Sequence, residues 1–82
     1  MSHKDPEEFW TRQLRHHLAE VVEIPDGPHA DIKYLIMRCD ETLRMTHSDE
    51  ERHASVKQLA REIHSFDAEF PELLPPEVLR GP

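Results

Sequence analysis

Glycine occurs twice and cysteine once in this 82-residue chain, and aromatic residues make up only 6% of it. Two glycines leave no material for a collagen-like repeat or for a Gly-rich loop whose backbone cradles phosphate. A lone cysteine, Cys39, excludes a disulfide framework. No run of about 18 apolar residues is present, so no membrane-spanning helix is expected. No apolar stretch near Met1 has the form of a cleaved secretory leader, and with the single cysteine this points to a cytoplasmic location. Positive charge is also scarce: 10 Lys plus Arg stand against 17 Asp plus Glu, a formal net charge of −7. Nucleic acids and anionic membranes bind stripes of Lys and Arg. The scattered, outnumbered bases here argue against both.

What is present suits a small helical domain. Leu, Ile, Val and Phe supply 19 of the 82 residues, just above the roughly 20% at which chains default to disorder. A domain of this size buries only about 60–65% of its unfolded surface. Self-association would therefore add stability, and a homodimer is expected. The whole chain, 1–82, reads as one domain, with residues 1–4 as a mobile end.

Three helical patterns follow one another. Asp5-Pro6-Glu7-Glu8 is a helix start, with Asp5 as the cap, Pro6 in the first turn and carboxylates on the favourable end of the dipole. Trp10, Leu14, His17, Val21 and Ile24 then form a three-four seam, widened by Phe9, Leu18 and Val22, which predicts helix 1 over 6–23. Pro25-Asp26-Gly27-Pro28 is a turn. Ile32, Leu35, Ile36, Cys39 and Leu43 share one face of a helix over about 29–46, whereas Tyr34, Met37 and Met45 lie off that face. Ser48-Asp49-Glu50-Glu51 is a capping box. It opens a third helix, about 49–68, with Val56, Leu59, Ile63, Phe66 and Phe70 in its seam. The loops are short, so the expected fold is all-α: an antiparallel three-helix bundle, with completion by dimerisation as the competing architecture.

Residues 71–82 break the pattern. Pro71, Pro75 and Pro76 interrupt Leu73, Leu74, Val78 and Leu79, which excludes a long helix. A Pro/Leu-rich arm packed over the bundle is expected, because exposed leucine pairs usually find cover. A free tail carrying a docking motif is the alternative.

Charge is uneven along the chain. Helix 1 and helix 3 each carry an excess of acids, whereas helix 2 balances Asp31, Asp40 and Glu41 against Lys33, Arg38 and Arg44. Helix 2 is also apolar on more than one side. Tyr34, Met37 and Met45 are therefore the first candidates for an interface, since Met adapts to irregular partners; Leu73, Leu74 and Leu79 come next.

The chemistry-bearing residues form no recognisable catalytic pattern. Cys39 falls on an apolar face beside Asp40, where a thiol is inert. The paired acids are explained by caps and dipoles. The seven histidines, at 3, 16, 17, 29, 47, 53 and 64, raise a metal site. Yet His16 and His17 point about 100° apart on a helix, and His53 and His64 lie roughly 16 Å apart along one. Glu50 and His53 form one Glu-x-x-His unit, where a di-iron bundle needs two. Catalytic, cofactor and metal residues are accordingly none. His17, within the helix 1 seam, is the candidate pH-sensitive core residue, because protonating a half-buried imidazole would loosen the packing around it.

The functional expectation is a non-enzymatic protein–protein interaction module: an adaptor, antiactivator, chaperone or small subunit of a larger assembly. Its partner would be another protein, a second copy, or both. The alternatives are a His-dependent metal-binding bundle and a small nucleic-acid regulator presenting Lys33, Arg38 and Arg44.

Overall fold

The computed structural model describes residues 5–45 and 48–82. The expectation for residues 1–4, and Thr46 at the expected end of helix 2, lie outside them. Three long helices pack against one another: α1 (Pro6–Val21), α2 (His29–Arg44) and α3 (Asp49–Glu69). A single turn, α4 (Pro76–Leu79), follows in the C-terminal arm.

The helix starts form where local chemistry demands. The Asp5 Oδ1 accepts from the backbone N–H groups of Glu7 at 3.0 Å and Glu8 at 3.3 Å, satisfying two of the amides that a first turn leaves without partners. The Ser48 Oγ accepts from the Glu51 N–H at 3.2 Å. Helix 1 stops at Val21 and α2 at Arg44, each two residues before the expected end. In the intervening turn the left-handed residue is Asp26, with φ 64°, and not Gly27. Aspartate tolerates that region because its short carboxylate bonds locally.

The core differs from the expected seam in α1. Trp10, Leu14 and Leu18 are buried, and Thr11 is buried beside them. The buried face therefore runs through every fourth residue and leans toward Thr11. Val21 is half-buried, Ile24 is 41% exposed beyond the helix end, and Phe9 is 51% exposed. Each helical residue turns about 100° from the last, so seating Trp10 and Thr11 in the core carries Phe9 outward. Thr11 enters because its hydroxyl donates to the Glu7 carbonyl oxygen at 2.7 Å. From α2 come Ile32, Leu35 and Cys39, and from α3 come Val56, Leu59, Ile63 and Phe66.

The arm completes this core. Helix α2 packs on both α1 and α3, while α1 and α3 touch each other only sparingly. Residues 70–79 close that opening, with Leu74 and Val78 buried and Leu73 and Leu79 half-buried against the core. Burying one such side chain stabilises by about 1.5–3 kcal/mol. The Trp10 Nε1 fixes the arm by donating to the Val78 carbonyl oxygen at 2.7 Å. At the same end of α1, Arg52 pairs with Asp5, and His53 Nδ1 lies 2.5 Å from a Glu7 carboxylate oxygen.

Candidate functional site

The outward face of α2 carries the exposed large apolar side chains of that helix. Tyr34 is 46% exposed and Met37 49%. They share the stripe Ala30, Lys33, Tyr34, Met37, Glu41 and Arg44, all exposed and recurring at three- and four-residue steps opposite the buried Ile32, Leu35 and Cys39. Met45 caps the helix and is half-buried.

Tyr34 is held in place. Its hydroxyl donates to Glu62 Oε2 at 3.0 Å, and Arg38 Nε donates to Glu62 Oε1 at 3.1 Å. The carboxylate thus grips a phenol with one oxygen and a guanidinium with the other, joining α2 to α3. Acceptance of the phenolic proton by Glu62 is the main reason that the Tyr34 pKa is raised above its usual value. Arg38 and Glu62 are largely covered, with side chains 15% and 20% exposed, so their pairing is less screened than at an open surface. Beside Tyr34, a shallow groove of about 280 Å³ runs between α2 and α3 past Leu35, Arg61, Glu62 and Phe66.

The arm leucines do not extend this surface. Helix α4 packs against α1 and α3 and not against α2, so Leu79 lies away from Tyr34, and Leu73 is packed half-buried against the core. Leu74 is in the core, 5% exposed, and leaves the set of interface candidates. Its burial follows from the opening between α1 and α3 that only the arm fills. A second groove, about 390 Å³, lies between α1 and the arm, lined by Phe9, Trp10, Gln13, His17, Val78 and Pro82. His17 stands in that groove, half-buried, and is not a core residue. The seam shift in α1 that turned Phe9 outward brought His17 to the edge.

The other candidate chemistry is dispersed. Cys39 is fully buried, and burial pushes its thiol up to about 12, with Asp40 adding to the rise. Arg15 is raised by its 2.6 Å hydrogen bond to Asp40. His16 lies 2.9 Å from Glu20, His29 Nε2 lies 2.7 Å from the Ile24 carbonyl oxygen, and His53 faces Glu7. Among the described residues, no group of three or more His, Cys, Asp or Glu side chains could hold a metal ion. No helix among them is long and apolar enough to cross a membrane.

Sequence reasoning picked Tyr34 and Met37 but missed Glu62, which positions Tyr34. Arg38 entered the sequence reading only for its charge, beside Lys33 and Arg44. Glu62 lies 28 residues away on another helix, and no local pattern marks it. The chain matches no protein-family model, no curated protein and no solved structure.

Proposed function

We propose that this chain is a non-enzymatic protein–protein interaction module, an adaptor or small subunit, that docks through the outward face of α2. The observation that carries the reading is the pairing of Tyr34 and Met37, both about half exposed, with the bonds that fix Tyr34 to Glu62. Tyr, Met and Arg are enriched at interfaces, and a side chain already held in one rotamer loses less entropy on binding. The high thiol pKa of Cys39 argues against a nucleophilic role. A free, buried thiol suits a reducing, cytoplasmic setting.

The same reading takes the chain as one domain with its helices running up, down and up. Thr42 meets Ser55 while Arg38 and Tyr34 meet Glu62. Positions early in α2 thus face positions late in α3, which supports antiparallel packing of that pair.

The test is site-specific photocrosslinking in cells, with a benzoyl-phenylalanine replacing Met37 or, as control, the exposed Lys57 of α3. One discrete adduct from position 37 and none from position 57 is expected. No discrete adduct from position 37, or the same adduct from both positions, would overturn the reading.

A further inference from the structure

We infer that the occupant of the α2 face is a second copy of this chain, docked two-fold with the two α2 helices antiparallel and Met37 at the axis. The inference rests on the docking role proposed for α2 and names its partner. Three observations lead to it.

The first is charge. At −7, two copies repel over most of their surfaces. Helix α1 and helix α3 are acidic, whereas α2 sets Asp31, Asp40 and Glu41 against Lys33, Arg38 and Arg44. The outward stripe itself carries Lys33 and Arg44 against Glu41 alone, and all three are exposed. It is the face through which an acidic chain meets its own copy with least repulsion.

The second is register. A two-fold interface is self-complementary: the residue that i touches must touch i in return. Lys33 lies four residues before Met37 and Glu41 four residues after it, about 6 Å to either side along the helix. With Met37 on the axis, Lys33 of each copy is level with Glu41 of the other, twice over. Their long side chains span the remaining sideways offset. Ala30, seven residues before Met37, is level with Arg44, seven after, and its small side chain leaves the arginine stem room to lie flat. A face suited to an unrelated partner has no reason to be self-complementary about its central apolar residue.

The third is the apolar centre. The two Met37 side chains meet at the axis, and the ring of Tyr34 stands one turn away, held to Glu62 at 3.0 Å. A thioether beside an aromatic ring is a favourable contact, with sulfur about 5 Å from the ring. Helix α2 has 16 residues, a contact about 24 Å long, and its outward residues are fewer than the roughly 20–30 a side of a standard interface. Association is therefore sought at about 10–100 μM, the weak, transient end of such contacts.

The experiment measures molar mass by light scattering and sedimentation for the full chain and for Lys33→Glu, Glu41→Lys and the double variant, after circular dichroism shows each folded. The wild type is expected to approach twice 9.7 kDa at high concentration. Each single reversal sets like charges level at two places and should weaken association by about tenfold. The double variant should recover it. So should an equimolar mixture of the two single variants, because one copy then offers carboxylates at both positions to a copy with ammonium groups at both. A wild type that stays monomeric at about 500 μM, several times above the roughly 10–100 μM sought for so small an interface, overturns the inference. So does a dimer unaffected by the reversals or not rescued by the mixture. A discrete adduct from position 37 of another mass would leave the docking role standing while this partner falls; no adduct would remove both.

Discussion

Trp10 and Val78, 68 residues apart in the chain, are joined by a 2.7 Å hydrogen bond from the indole nitrogen to the backbone carbonyl oxygen. Both residues are buried, so the carbonyl has no water to turn to. Trp10→Phe keeps an aromatic ring on α1 but removes the donor. Stability should fall by about 1–3 kcal/mol, the cost of a buried acceptor left unmade. Urea unfolding followed by circular dichroism measures it, since the only tryptophan is gone. Protease cleavage between Pro71 and Pro75 should quicken in the variant, because the arm opens first. An unchanged urea midpoint would show that the bond contributes nothing net.

A second buried bond joins α2 to α3. The hydroxyls of Thr42 and Ser55 lie 2.7 Å apart, and Thr42 donates to the Arg38 carbonyl oxygen at 2.9 Å. A hydroxyl has one proton, so Ser55 is the donor between them. Thr42→Val strands the Ser55 proton and should cost about 1–3 kcal/mol. Ser55→Ala removes the proton itself, leaves the Thr42 bond to Arg38 intact and should cost about 0.5–1.5 kcal/mol. Combining them should cost less than the two added together, with a coupling of about 1 kcal/mol. Strict additivity in that cycle would deny the bond an energetic role.

These hydroxyls mark where sequence reasoning stops. Asp5 and Ser48 were legible as helix starts because a cap is satisfied within three residues. Val56, Leu59, Ile63 and Phe66 were legible because apolar side chains at helical spacing share a face. Thr11, Thr42 and Ser55 were not, because a pattern of apolar and polar letters counts them as surface. Thr11 and Thr42 enter the core by donating to the carbonyl four residues back. Admitting Thr11 rotates α1 and turns Phe9 outward. The arm was legible as cover for something, but the opening between α1 and α3 that buries Leu74 is a property of three helices together. Tyr34 and Met37 followed from their position off the apolar face of α2, whereas the Glu62 that holds Tyr34 needed the tertiary fold.

Cys39 is fully buried, and its thiol is pushed up to about 12 by desolvation. The native thiol should therefore react with an aromatic disulfide reagent at pH 8 only when the bundle opens. Adding urea below the unfolding transition should raise the rate in step with the population of open molecules. Complete reaction within seconds in buffer would place the thiol at the surface and overturn its assignment to the core.

Tyr34 and Glu62 give the fold a sensitivity to alkali. The Tyr34 pKa is raised, first because its hydroxyl donates to Glu62 and next by desolvation and the carboxylate charge. The folded state therefore favours the neutral phenol. Its contribution to stability is complete below the unfolded value of about 10 and is lost as pH rises through the folded value. Cys39 acts in the same direction, from its ordinary 9.0 upward. Absorbance near 295 nm follows the phenolate directly, because Tyr34 is the only tyrosine. Its midpoint should lie above that of a free tyrosine, and Glu62→Ala should bring it down. The same variant should lose less stability than the wild type as pH rises past 10, because the phenol no longer has a bond to forfeit. A wild-type midpoint at or below the free value would show that Glu62 does not hold the phenolic proton in solution, and the anchored Tyr34 on which the α2 docking face depends would go with it.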